Sequence, residues 1–137
     1  MLHAAGVSLM FRGETLSNDS FVDLDDVVTI GRSAGPSNAN SNGALLCITD
    51  LEDCCASPRI VRGDWYYPDG RRVGSTSGNG FLANRGPNDQ QTNGSVCLFR
   101  RYSGPPERGR FRCELPNAAG VNQILYINIR ELSSSYL

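Results

Sequence analysis

Apolar residues alternate with polar ones in short runs along most of the chain, with a period close to two residues. This alternation is typical of β-strands with one buried face, whereas an amphipathic helix repeats apolar residues three and four positions apart. The runs that predict strands are Val7–Phe11, Ser20–Leu24, Val27–Ile30, Ala44–Thr49, Asp64–Tyr67, Gly80–Ala83, Ser95–Phe99, Arg110–Leu115 and Gln123–Ile129.

Glycine, proline and asparagine separate these runs, and each favours turns for its own steric reason. The turn-forming segments are Arg12–Glu14, Gly35–Gly43, Pro68–Gly70, Asn79–Gly80, Asn93–Gly94 and Gly104–Pro106. A chain of 137 residues is long enough to bury one hydrophobic core. Together these patterns predict a single all-β domain, built as an antiparallel sandwich or barrel.

The composition excludes several kinds of catalysis. All 13 cationic residues are arginine, and the single histidine is His3, beside the amino terminus. The chain therefore has no lysine for a Schiff base and no internal imidazole base. Asp23, Asp25 and Asp26 form a cluster of three carboxylates that has no acid–base partner, so we expect these side chains to be solvated. We predict no enzymatic activity, no metal site and no cofactor.

Charge is divided unequally along the chain. Residues 1–55 contain two arginines and eight carboxylates, and residues 56–137 contain eleven arginines and six carboxylates, for a net charge of −1. We expect the two halves to attract each other within the domain. The Arg-rich segments Arg100–Tyr102 and Arg108–Arg112 leave open an alternative, a β-domain that binds nucleic acid or sulfated glycans. Period-two alternation instead places Arg110 and Arg112 on a solvated sheet face, opposite Phe111 and Cys113.

The order and spacing of two cysteines and a tryptophan resemble those of the immunoglobulin fold. Cys47 lies within a predicted strand, Trp65 follows 18 residues later, and Cys113 lies in a late strand after the run that begins at Glu107. In that fold, cysteines on strands B and F bridge two sheets and a strand C tryptophan packs on the bridge. The resemblance implies a two-sheet sandwich of the variable or intermediate type. It also implies N-terminal strands in residues 1–35, an immunoglobulin-like core in residues 36–130 and a linker in residues 131–137.

The resemblance further implies roles for individual residues. Cys47 and Cys113 would form the disulfide between the sheets, and the expected core residues are Trp65, Leu45, Leu98 and Phe111. Arg85 and Glu107 would form the ion pair of variable-type domains near the turn into strand F. Phe111 stands where the family has a tyrosine, so the hydroxyl bond that ties this corner to the upstream backbone cannot form here.

A closer resemblance is to immunoglobulin-like domains of extracellular invertebrate proteins, notably those of sponges. The motifs that carry it are Asp50–Cys55, Gly63–Gly70, Asn84–Gly86, Phe111–Pro116 and Gly120–Gln123. It implies a disulfide-bonded, non-catalytic recognition or adhesion module of a receptor. Residues Met1–Phe11 lack the cationic segment and apolar run of a secretory leader, so we expect these residues to belong to a longer secreted or cell-surface protein.

The other cysteines leave alternatives open. Cys54 and Cys55 are adjacent, so they cannot both lie on one strand face. One of them could form a second disulfide, both could form a vicinal bridge, or both could be free thiols. Cys97 makes the number of cysteines odd, at five.

Two further sets of residues bear on recognition. Asn18 and Asn93 begin N-glycosylation sequons. Two loops are candidates for partner binding, and each has an apolar residue that could instead cap the core: Arg59, Ile60 and Arg62 in one, Asn117 and Val121 in the other. We expect a protein partner or self-association, with no nucleic acid and no membrane contact by this segment.

Overall fold

The computed structural model describes residues 6–27, 29–30, 43–49, 63–74, 80–84, 95–101, 108–117 and 120–131. The strands are β1 (Val7–Phe11), β2 (Glu14–Leu16), β3 (Ser20–Asp23), β4 (Thr29–Ile30), β5 (Leu45–Thr49), β6 (Asp64–Tyr66), β7 (Phe81–Asn84), β8 (Ser95–Arg101), β9 (Gly109–Pro116) and β10 (Asn122–Arg130). A short 3₁₀ turn, Leu24–Asp26, connects β3 to the segment before β4. The predicted all-β class is confirmed.

The strands form two sheets that pack face to face. The first sheet has the order β2-β1-β5-β8-β4, with β7 also paired to β8, and the second has the order β3-β10-β9-β6. Most pairs are antiparallel, as predicted. The pairs β3–β10 and β4–β8 are parallel, and each joins the amino-terminal segment to a strand that is distant in the sequence.

The hairpin between β1 and β2 is a strand pairing that the alternation did not predict. Phe11 pairs with Glu14, and the two residues between them have positive φ values, 54° for Arg12 and 82° for Gly13. Two positive values are typical of a type I′ turn, whose twist matches that of the strands. The predicted strand Ser20–Leu24 is one residue too long, because Leu24 begins the 3₁₀ turn and buries its side chain.

The centre of the core is the predicted disulfide. Cys47 of β5 and Cys113 of β9 are bonded, with Cα atoms 6.5 Å apart. Trp65 lies opposite Cys113 in the register of β6 and β9, and its indole N–H donates to the carbonyl of Val96 in the first sheet. These contacts connect the two sheets covalently and through a hydrogen bond. The predicted core is confirmed, since Trp65, Leu45, Leu98 and Phe111 are all fully buried.

Aromatic packing holds the corner where β9 begins. The Phe111 ring lies 4.9 Å from the ring of Phe81 and 5.6 Å from that of Tyr67, measured between centroids. Gly109 has a φ of 132°, and a Cβ atom added to it would lie 2.8 Å from Cγ of Pro68. Close packing therefore positions the start of β9, and with it the arginines that follow on the outer face of the second sheet.

Candidate interaction surface

The outer side chains of the second sheet form one continuous surface, which we call the second-sheet face. Alternation along β9 and β10 buries Phe111, Cys113, Ile127 and Ile129 and turns their neighbours outward. The face comprises Phe21, Asp23, Asp64, Tyr66, Arg110, Arg112, Glu114, Ile124, Tyr126, Asn128 and Arg130, with Asp19 at its border. As predicted, Arg110 and Arg112 lie on the side of β9 opposite Phe111 and Cys113.

Guanidinium groups stack on aromatic rings across this face. The guanidinium carbon of Arg110 lies 3.5 Å from the ring centroid of Tyr126, and that of Arg112 lies 4.1 Å from the centroid of Tyr66. At the border, Arg130 lies 4.7 Å from the centroid of Phe21. Each contact joins two strands, because the rings belong to β10, β6 and β3 while the arginines are on β9 and β10. Stacking fixes planar groups in place and so lowers the entropy cost of binding through them.

Carboxylates neutralise the same arginines. Arg110 binds both carboxylate oxygens of Asp19, at 2.8 and 2.9 Å. On the same face Arg112 contacts Glu114 at 2.8 Å, and Arg130 contacts Asp23 at 3.4 Å. The hydrogen bonds from Arg110 lower the pKa of Asp19 and outweigh the desolvation that raises it.

Tyr66 remains a neutral phenol in this charged setting. Partial burial, followed by the nearby carboxylate of Asp64, raises its pKa above the ordinary value. Its hydroxyl donates to Oδ2 of Asp64 at 3.4 Å, a long hydrogen bond. The ring therefore presents an uncharged surface to Arg112 and to solvent.

Exposed apolar groups concentrate in the same region. Among the described residues, the exposed large hydrophobic side chains are Phe21, Ile124 and Val121, at 59%, 45% and 60% exposure. Phe21 and Ile124 lie on the second-sheet face, and Val121 lies in the β9–β10 loop at its end. Apolar and aromatic groups interleaved with arginine and ringed by polar groups are typical of the centre of a protein–protein interface.

The β9–β10 loop is a closed turn that projects Val121 outward. The backbone N–H of Asn117 donates to the carbonyl of Val121 at 2.8 Å, and Oδ1 of Asn117 accepts from the N–H of Val121 at 3.0 Å. The interpretation of Val121 as a cap of the core is therefore wrong, and its exposure agrees with the partner-binding interpretation. Asn117 has a structural role, because its side chain closes the loop.

Asn18 lies at the β3 border of the same face. The residue is exposed, and its Oδ1 accepts a hydrogen bond of 2.7 Å from the backbone N–H of Tyr126.

The remaining predicted positions lie outside the described residues: Arg85 and Glu107 of the ion pair, Asn93 of the second sequon, the loop residues Arg59, Ile60 and Arg62, and Cys54 and Cys55.

Among the residues that the structure describes, the two Arg-rich segments do not combine into one basic surface. Arg100 lies in the first sheet, where it donates to the carbonyl of Leu24 and contacts Asp25 at 3.5 Å. Arg108 instead pairs with Glu131. Every arginine whose side chain the structure describes has a carboxylate partner. A polyanion would have to displace these carboxylates to bind, which disfavours the nucleic-acid and sulfated-glycan alternative.

Cys97 is the remaining cysteine of the described segments. It carries a free thiol on the outer side of β8, between the inward-facing Val96 and Leu98. Burial raises the pKa of this thiol to about 11. A thiol of that kind is a poor nucleophile at neutral pH, which agrees with the absence of an imidazole to activate it.

The aromatic residues of the face were not singled out from the sequence. The sequence Gln123–Ile129 nevertheless contained a sign of them, because apolar residues occupy both the odd-numbered and the even-numbered positions of this strand. Since only one phase can face the core, either Ile124 and Tyr126 or their neighbours had to face solvent. The identity of the stacking arginines depends on cross-strand register, which local alternation does not contain.

Comparison with known proteins gives no family. No protein-family model matches the chain, and no curated protein is significantly similar to it. Across the described ranges, no group of three or more His, Cys, Asp or Glu side chains could hold a metal ion. In the same part of the chain, no helix has the length and apolarity required to cross a membrane.

Proposed function

We propose that this chain is an immunoglobulin-like recognition or adhesion module of an extracellular protein, and that it binds a protein partner through the second-sheet face without bond chemistry. The observation that carries the proposal is the concentration of exposed apolar, aromatic and arginine side chains on that one face. Such groups supply most of the binding energy at protein interfaces.

The topology supports the immunoglobulin-like assignment. In that fold, strands A, B, E and D form one sheet and strands C, F and G form the other. Here β1, β5, β8 and β7 are neighbours in the first sheet, and β6, β9 and β10 are neighbours in the second. Under this correspondence Cys47 would lie on strand B, Cys113 on strand F and Trp65 on strand C, which is the arrangement that the proposal requires.

The disulfide supports an extracellular location. Such bonds form and persist in oxidising compartments and are rare where glutathione keeps thiols reduced. A buried bond between two sheets, such as Cys47–Cys113, is a structural feature of the folded domain.

Charge balance supports a protein partner. The arginines of the face are paired with carboxylates on the same face, so the surface has no strong electrostatic field of one sign. A partner of either charge, or a second copy of the chain, can then approach without long-range repulsion.

Two matched arginines test the proposal. Arg130 and Arg12 are both exposed, at 55% and 52%, both stack on a phenylalanine and both pair with an aspartate. Only Arg130 lies on the second-sheet face. Beads coated with the domain would be mixed with each other and with cells of the organism that encodes the chain. We expect Arg130→Ser and Ile124→Ser to reduce bead binding at least tenfold and Arg12→Ser to leave it unchanged.

Three outcomes would contradict the proposal. Beads that bind neither each other nor cells would remove the recognition function, and equal losses for Arg130→Ser and Arg12→Ser would remove the assigned surface. Binding to heparin or an oligonucleotide that falls steeply with salt would favour the polyanion alternative. Thermal unfolding of each variant would show whether a loss of binding reflects unfolding.

A further inference from the structure

The two residues before β3 both bind the backbone of Tyr126 in β10. Oδ1 of Asn18 accepts from the backbone N–H of Tyr126 at 2.7 Å, and the backbone N–H of Asp19 donates to the carbonyl of Tyr126 at 2.8 Å. Both backbone polar groups of Tyr126 are therefore bound by two consecutive residues. Asp19 adopts a φ of 68° to make this approach.

The side-chain nitrogen of Asn18, Nδ2, is available for attachment of a glycan. The hydrogen bond to Tyr126 uses the side-chain oxygen, whereas an N-linked glycan attaches to Nδ2 and preserves that oxygen as an acceptor. Asn18 is exposed, and Ser20 completes the sequon, its hydroxyl donating to the carbonyl of Ser17 at 2.6 Å. A glycan is thus compatible with the folded contacts of this segment.

We propose that Asn18 carries an N-linked glycan in the secreted protein and that this glycan shields the β3 border of the second-sheet face. Asn18 adjoins Asp19, whose carboxylate binds Arg110, and Arg110 stacks on Tyr126. The root of the glycan therefore lies next to the edge of the face that contains Phe21. The opposite edge, at Tyr66 of β6, stays open to a partner.

The position has a consequence for aggregation as well as for recognition. β3 is the terminal strand of the second sheet, and Phe21 on its outer side is 59% exposed. An edge strand with an exposed aromatic residue can pair with other chains, and bulky polar groups prevent such pairing. The assignment of the shielded border to recognition rests on the proposed binding function, whereas glycan attachment rests on the proposed extracellular location alone.

Attachment is tested on protein secreted from eukaryotic cells, in an Asn93→Gln background that removes the other sequon. Intact mass is measured before and after treatment with a peptide N-glycosidase. We expect one glycan in this background and in Ser20→Thr, and none in Ser20→Ala, which keeps Asn18 and its hydrogen bond. Secreted, folded protein without a glycan on Asn18 would overturn the proposal.

Shielding is tested without any partner, by hydroxyl-radical footprinting of the glycosylated protein and of Ser20→Ala. We expect oxidation of Phe21 to rise at least twofold when the glycan is absent, and oxidation of Tyr66 and Phe11 to stay unchanged. Equal oxidation of Phe21 in both proteins would show that the glycan points away from the face. Because neither measurement uses bead binding, failure here is distinguishable from failure of the proposed function.

Discussion

Replacement of Gly109 by alanine tests whether close packing sets the start of β9. An added Cβ would lie 2.8 Å from Cγ and 3.2 Å from Cβ of Pro68, and the φ of 132° is unfavourable for any residue with a side chain. Gly13 is the matched control, because its φ is 82° and an added Cβ meets nothing within 4 Å. Positive φ costs about 1 kcal/mol for alanine, and overpacking adds about 2 kcal/mol at Gly109.

Urea unfolding followed by tryptophan fluorescence measures the difference. With a slope of about 1.5 kcal/mol per molar urea, the midpoint should fall by about 2 M for Gly109→Ala and about 0.7 M for Gly13→Ala. Adding Pro68→Ala, which removes Cγ, should recover part of the Gly109→Ala loss and none of the Gly13→Ala loss. Equal losses for the two glycine variants, or no recovery, would refute the steric argument.

Three further predictions concern the disulfide, the Asp19 ion pair and the free thiol. Cys47→Ala combined with Cys113→Ala should lower the free energy of unfolding by about 4 kcal/mol, since the bond closes a loop of 66 residues, and urea titration checks this. Asp19→Asn should be less stable than the wild type at pH 7, and the difference should vanish as the pH falls below about 4. Arg110 lowers the pKa of Asp19 in the folded state, so ionised Asp19 stabilises the fold above its unfolded pKa, and this stabilisation is lost as the pH falls through the folded pKa. Unfolding free energies of both proteins measured from pH 7 to 2 would contradict this if their difference stayed constant. At pH 7.5, Cys97 of the native protein should react with iodoacetamide at least about a hundredfold more slowly than Cys97 of the urea-unfolded protein, because burial raises its pKa from 9.0 to about 11. Equal native and unfolded reaction rates, measured by peptide mapping, would disprove this.

Local alternation was sufficient to predict most strands and the inward-facing residues. Leu45, Leu98 and Phe111 each lie in phase with a cysteine or another core residue of the same strand, and all are fully buried. Period-two geometry makes such residues recognisable without any tertiary information. The disulfide needed the additional spacing of Cys47, Trp65 and Cys113, which only a resemblance to a known fold supplied.

Features that depend on distant pairing were not predictable in the same way. β2 is three residues long, and its pairing with β1 depends on a left-handed turn at Arg12, a conformation that non-glycine residues seldom adopt. The parallel register of β3 against β10 joins residues about a hundred positions apart, so no short window contains it. The stack of Arg112 on Tyr66 depends on the pairing of β6 with β9 for the same reason.

The unequal distribution of charge acquires a physical explanation from this topology. Asp19 precedes β3 and Asp23 is its last residue, and the parallel pairing of β3 with β10 places them beside Arg110 and Arg130 of the late strands. Asp25, in the following turn, reaches Arg100 of the first sheet. The expected attraction between an acidic early segment and a basic late one is thus made of specific contacts to both sheets.

This pairing also determines what the second-sheet face can offer a partner. Exposed ion pairs contribute little to stability, typically under about 1 kcal/mol each, so their main effect here is to cancel charge and orient side chains. With the arginines neutralised and stacked, selectivity must come from shape and from desolvation of Ile124 and the tyrosine rings. If that is correct, raising the salt concentration from 0.05 to 0.5 M should change bead binding less than threefold, whereas a surface that binds by net charge would lose most of its affinity over the same range.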